Sequence, residues 1–371
     1  MEFIVSQEAL KNELGFVQGI VERKNTIPVL ANILIESVGE NTVRLTGTDL
    51  DVTIRCEAQA EIKNGGGICV SARKLFDIVR LLPDAPVKFK RDENDWVKVE
   101  CARSNYRLAG VAREQFPEVP GFKSTSMRLP AELFRNFIKH TSFAITQEQS
   151  RFTLSGAKFM VGADGARMVT TDGHRLAFVE KKDLGENAPA EAVDVLIPKK
   201  TLSELTRLAE TAEGDIAFGE DANHIYFEVG SRLLVSRKLT GQFPNYEMVM
   251  PKNNDKVAHF DAAEFNNALR RVALMADDRT RAVRLEFKNN LVTIGANTAE
   301  EGEAREEVST DYDGDEVVIG FNSQYLQDFF GVMREGQVAF EFKDGNAQGQ
   351  LYPGGESNAY DYKYIVMPMR V

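Results

Sequence analysis

The chain has 371 residues, 43% of them apolar, and a formal net charge of -11. That length exceeds the roughly 250–300 residues at which one hydrophobic core stops growing, so two or three domains are expected. No run approaches about 18 consecutive apolar residues, and Met1–Ser6 is not a basic segment leading into an apolar one, so the expectation is a cytoplasmic protein with no membrane segment.

In chain order, a short strand at Phe3-Ile4-Val5 leads into a helix from Ser6 to Val21, whose Leu10, Leu14, Val17 and Val21 share one face. Ser6 is placed as its N-cap, with Glu8 and Glu13 toward the positive helix end. The same arrangement recurs with Ile68-Cys69-Val70 ahead of Leu75, Val79 and Leu82, and with Met127-Arg128-Leu129 ahead of Leu133 and Phe137. Val195-Leu196-Ile197 precedes Leu202, Leu205 and Ala209; His259-Phe260 precedes Phe265, Leu269 and Val272; Val317-Val318-Ile319 precedes Tyr325, Phe329 and Val332. Alternating strands follow each helix, as in Val87–Lys90 and Trp96–Cys101 on either side of the charged turn Arg91–Asp95. Six like units result, about 60 residues apart within a pair and about 125–130 between pairs.

The fold class is therefore α+β, as three tandem similar domains of two βαβββ units each. Gln115–Pro120 closes the first domain, Gln242–Pro251 the second and the Met367-Pro368 tail the third, since proline cannot donate into a following ladder. The expected domains are 1–124, 125–253 and 254–371. Repeated units related by a constant rotation generate a curved wall, which a second copy can close into a ring. The six predicted helices hold about 14 Lys and Arg against about 9 Asp and Glu, so the acidic excess lies elsewhere. Lys24, Arg73, Lys74, Arg80, Lys199 and Lys200 stand near helix ends, where they are able to face a shared concave surface; the alternative is that they decorate solvated faces.

Little points to catalysis. His140, His174, His224 and His259 are scattered, and Cys56, Cys69 and Cys101 read as reduced, semi-buried thiols, so no metal or cofactor is expected. Asp311–Glu316 has the look of a calcium loop but lacks the downstream glutamate and runs into a strand. Gly65-Gly66-Gly67 precedes a strand rather than a helix, so it forms no phosphate cradle at a helix start. The strongest enzyme reading is a metal-dependent nuclease or phosphotransferase using Asp49, Asp51, Asp172 and His174. A monomeric peptide-binding scaffold is a further alternative.

Thr171-Asp172-Gly173-His174-Arg175-Leu176-Ala177 resembles the second-domain signature of the bacterial DNA sliding clamps, the beta subunits of DNA polymerase III. Arg151–Gly156, Phe243–Tyr246 and Tyr364–Arg370 are similar to that family as well, as are Asn25–Leu30, Leu45–Leu50, Ser71–Ile78 and Ile319–Asn322, in order over almost the whole chain. The resemblance implies the DNA clamp fold, a head-to-tail homodimer forming a six-domain ring around duplex DNA. It implies a non-catalytic processivity subunit that binds DNA without regard to sequence. The replicative polymerase, an ATP-driven clamp loader, and other polymerases and repair proteins would dock through short Gln/Leu/Phe-bearing motifs.

By the same resemblance the partner groove comprises Leu154, Thr171, Gly173, His174, Arg175 and Leu176, with Pro244 and Val249 opposite and Val366, Met367, Pro368, Met369 and Arg370 along the tail. Those residue types suit the task, because methionines adapt to varied apolar shapes and Gly173 admits close backbone approach. Arg175 and Arg370 are expected to donate to a peptide's carbonyls. The ring is expected to close through Tyr106 and Leu108 on one strand and Leu274 and Met275 at a helix end, residues that are otherwise ordinary core. Three departures stand out: Met248 replaces a frequent arginine, Phe152-Thr153 replaces a tyrosine pair, and Lys24 replaces an arginine and loses its bidentate fork.

Overall fold

The computed structural model describes all residues except 22–26, 122–123, 149, 299–301, 356–358 and 371. Among the described residues the α-helices are α1 (Gln7–Ile20), α2 (Ala72–Leu81), α3 (Ala131–Thr141), α4 (Lys199–Glu210), α5 (Ala262–Val272) and α6 (Ser323–Val332). Each follows a short strand and precedes three more, so the expected βαβββ unit occurs six times. The starts are fixed locally: Ser6, Ser71, Asp261 and Asn322 each accept a backbone N–H from the first turn of α1, α2, α5 and α6. No described helix is long and apolar enough to cross a membrane.

Packing divides the chain into two compact units, one of Met1–Arg135 with Lys200–Lys238, the other of Asn136–Lys199 with Leu239–Val371. This differs from a division of the sequence into three repeats because strands pair across the repeat joints. In the first unit a twelve-stranded sheet has its first eight strands closed on themselves, since Glu2–Ser6 pairs with both Pro86–Arg91 and the far end of Val52–Asn64. Val52–Asn64 is 13 residues long, which lets its near end pair with Arg232–Arg237, Leu234 opposite Ile54. Leu10, Leu14, Val17, Leu75 and Val79 are buried, and Phe3 stacks on Phe89 at 4.8 Å.

The second unit has an eight-stranded sheet and a four-stranded one. At the centre of the larger sheet Arg175–Lys181 pairs with Asp361–Val366, bringing Leu176 opposite Ile365. Its aromatic core includes the stack of Phe260 on Phe265 at 4.4 Å and of Phe287 on Phe342 at 4.5 Å. Two expectations need correction. α1 ends at Ile20, before Val21. On α6 the buried face is Leu326, Phe329 and Phe330, with Tyr325 and Val332 half-buried, because the Tyr325 ring lies against Arg175 instead of entering the core.

The repeat extends to hydrogen bonds. Asp172 Oδ1 accepts the amides of His174 and Arg175, while the Thr171 hydroxyl donates to the Arg175 carbonyl and accepts the Gly173 amide. In the first unit Asp49 Oδ1 accepts the amides of Asp51 and Val52, while the Thr48 hydroxyl donates to the Val52 carbonyl and accepts the Leu50 amide. The turn needs a left-handed residue, supplied by Gly173 at φ 91° and by Leu50 at φ 81°.

Candidate partner-binding groove

All parts of the candidate groove lie in the second unit. Leu154, Thr171, Gly173, Arg175, Leu176, Pro244, Val249 and Met367 line one apolar cavity of about 90 Å³, together with Tyr246 and Ile365. They come from the Thr171–Arg175 hairpin, the short helical turns Phe152–Leu154 and Tyr246–Met248, and the last strand with the residues after it. The floor is a packed cluster of Val169, Leu176, Phe178, Tyr246 and Ile365. Tyr246 and Ile365 were not anticipated. Strand periodicity places Ile365 and Met367 on one face and Val366 on the other, and Val366 is fully buried in the sheet.

The other predicted groove residues stand outside this cavity. His174 is exposed, its ring stacked toward Tyr325 at 6.5 Å. Pro368 and Met369 are half-buried, Met369 bridging Gly320, and Arg370 is exposed. Two large apolar side chains on the turns that contribute to the cavity are exposed, Phe152 at 71% and Met248 at 80%. Arg151 is held by Glu148 and donates to the Asp172 carbonyl.

Arg175 corrects the expectation of a free donor. It is 9% exposed. Its Nε donates to Asp172 Oδ2 at 3.0 Å, Nη1 to Asp328 Oδ2 at 2.5 Å and Nη2 to the Phe143 carbonyl at 2.8 Å. The guanidinium sits 4.4 Å from the Tyr325 ring centre and 5.7 Å from that of Phe143. Burial opposes its charge, but Tyr364, Asp328 and Asp172 together raise its pKa. Arg175 is thus a buried tie between hairpin and helix. Three of its five N–H donors are engaged within the protein, while the side chain also lines the cavity.

The predicted basic residues divide by environment. Arg73, Lys74 and Arg80 are exposed on α2, with Asp77 3.8 Å from Arg73 and 3.5 Å from Arg80. Lys200 is drawn back by Asp49 and the Ile20 carbonyl. Lys199 is half-buried, and burial, followed by repulsion from Arg175, lowers its pKa. Lys24 lies outside the described residues.

Tyr106 is exposed and Leu108 half-buried on Ser104–Val111, whose Ser104–Ala109 stretch pairs on one side only, with Trp96–Cys101. Leu274 is 77% exposed, which removes it from the core, and Met275 is half-buried. A second open edge, Gly302–Ser309, carries Glu303, Glu306 and Glu307 and was not anticipated.

Two of the three carboxylates of the nuclease reading are otherwise engaged, Asp49 and Asp172 closing their hairpins and holding Lys200 and Arg175, while Asp51 is exposed. Among the described residues no group of three His, Cys, Asp or Glu is placed to hold a metal ion.

Residues 1–120, 128–245 and 247–370 match the N-terminal, central and C-terminal domains of the DNA polymerase III beta subunit. The chain is 38% identical over 377 residues to a beta sliding clamp of Pseudomonas putida and 31% identical over 373 residues to that of Escherichia coli K12, with full coverage of each chain. A crystal structure of the Pseudomonas aeruginosa sliding clamp bound to griselimycin superposes with a TM-score of 0.93 at 34% identity, again covering 100% of both chains.

Proposed function

The chain belongs to the DNA polymerase III beta subunit family, the beta sliding clamps, and we propose from that premise how its residues carry out the work of a non-catalytic processivity subunit. Two copies associate head to tail and enclose duplex DNA in the cytoplasm. Each copy contributes three domains, 1–124, 125–253 and 254–371. The open edge with Tyr106 and Leu108 meets the region of Leu274 and Met275 of the second copy. Arg103 and Arg107 beside one edge complement Glu303 on the other, whose Glu306 and Glu307 are paired with Arg271 and Arg305 of their own copy.

The grip on DNA comes from enclosure. Arg73, Lys74 and Arg80 supply weak, mobile phosphate attraction, and the acidic remainder of the chain disfavours binding elsewhere. Polymerase, clamp loader and repair proteins dock short apolar motifs in the groove. The observation that supports this most directly is the convergence of four chain segments on one apolar cavity, with exposed Phe152 and Met248 on two of the turns that contribute to it.

The test is a labelled pentapeptide bearing Gln, Leu and Phe, titrated by fluorescence polarisation with the wild type and Leu176→Ser, alongside light scattering. The expectation is peptide binding weakened at least about tenfold by L176S, since an apolar pocket loses both contact area and dryness, and a mass near twice 41.4 kDa. Equal affinity for both proteins, or a monomeric mass at all concentrations, overturns the reading.

A further inference from the structure

We infer that Asp328, which does not line the groove, is the positioning residue that sets the groove's hairpin wall through Arg175. The inference rests on the groove reading above. Asp328 lies on α6, and one carboxylate oxygen accepts from Arg175 Nη1 while the other accepts Gln324 Nε2 at 2.8 Å. The Gln324 amide oxygen in turn accepts from Arg281 Nη1 at 3.0 Å, so the carboxylate is oriented from behind. In front of it, Arg175 passes the constraint to Asp172, whose other oxygen closes the turn through the His174 and Arg175 amides.

The same helix also holds the last strand, the partner of Arg175–Lys181 in the sheet. The Tyr364 hydroxyl donates to the Tyr325 carbonyl at 2.9 Å, one turn before Asp328 and one residue before cavity-lining Ile365. Thus α6 touches the hairpin through Asp328 and the last strand through Tyr325. Arg175–Lys181 and Asp361–Val366 are themselves paired in one sheet, so the ladder sets their spacing and α6 braces the hairpin end of that sheet at both points. Without the Asp328 charge, Arg175 retains Asp172 and the Phe143 carbonyl and shifts toward them. Leu176, the next residue, moves with it and alters the cavity.

The experiment uses the full chain, the same pentapeptide, and the variants Asp328→Asn, Asp328→Glu, Arg175→Met, the Arg175→Met/Asp328→Asn double variant, and Leu176→Ser as groove control. D328N is expected to weaken peptide binding about tenfold, inside the roughly 5- to 150-fold span usual for coupled sites, with D328E recovering part of the loss. In the R175M background D328N should have no further effect on affinity. Losses that multiply in the double variant mean that Asp328 acts by general loosening and overturn the inference. So does unchanged affinity in D328N when L176S binds weakly. If L176S also binds normally, the groove reading itself has failed. Thermal melts run beside the titrations identify folded variants, and should D328N not fold, the D328E affinity and its dependence on Arg175 decide the matter by the same criteria.

Discussion

Glu13 and Arg232 stand 219 residues apart in sequence, and their pairing ties α1 to the strand Arg232–Arg237 within the first unit. Glu13 is 7% exposed and holds Arg232 by two hydrogen bonds, of 2.8 and 2.7 Å. The guanidinium also lies 4.2 Å from the Phe16 ring centre and donates to the Thr211 hydroxyl. Glu13→Gln keeps the side-chain shape and removes the charge. Breaking a fully buried pair costs about 3–5 kcal/mol; here Arg232 keeps some solvent, Thr211 and Phe16, so about 2–3 kcal/mol is expected. For a unit of roughly 170 residues that is a fall of about 5–10 °C in its melting midpoint. Arg232→Met should show a similar loss, and the double variant Glu13→Gln/Arg232→Met should be less destabilised than the two single losses combined. Calorimetry of the four proteins measures this. A shift under about 1 °C for E13Q, with additive behaviour in the double variant, refutes the argument that this pair anchors the joint.

Three further outcomes are expected. A Cβ at Gly156 would meet the Ile197 carbonyl oxygen at 2.2 Å, so Gly156→Ala should destabilise the second unit by about 1–3 kcal/mol in denaturant titration. His140 is half-buried, and that burial lowers its pKa from the ordinary 6.5 against the opposing bond to the Asn136 carbonyl. The folded state therefore favours neutral His140: its contribution is complete above pH 6.5 and is lost as pH falls from there through the depressed folded value, so thermal melts should show His140→Gln less sensitive than wild type between pH 7.5 and 5.5. If Lys74 and Arg80 meet phosphate, each alanine variant should reduce the slope of log affinity against log salt by about 0.9 on duplex DNA, with peptide binding unchanged.

Much of the fold is legible in the sequence because its signals are local. The spacing of Leu10, Leu14 and Val17, and the Ser6 cap, are decided within a few residues. What is not legible is non-local. Nothing in Val52–Asn64 announces that its two ends take different partners. Arg175 looks like a free donor because Asp328, which occupies it, is 153 residues away. The C-terminal tail reads as a continuous apolar run, whereas strand alternation assigns Ile365 to the cavity and Val366 to the sheet interior. Tyr325 breaks the expected stripe of α6 because its ring packs on Arg175. The unanticipated acidic edge Gly302–Ser309 reads in sequence as a polar strand, and only the sheet order leaves it unpaired.

Enclosure of DNA is tested most directly by loading the protein onto nicked circular duplex, then linearising half the sample and comparing what remains bound after gel filtration. The account predicts retention on the circle and loss from free ends, with retention on linear DNA restored when both ends are blocked by bulky proteins. Equal loss from circle and line, or equal retention on both, contradicts it.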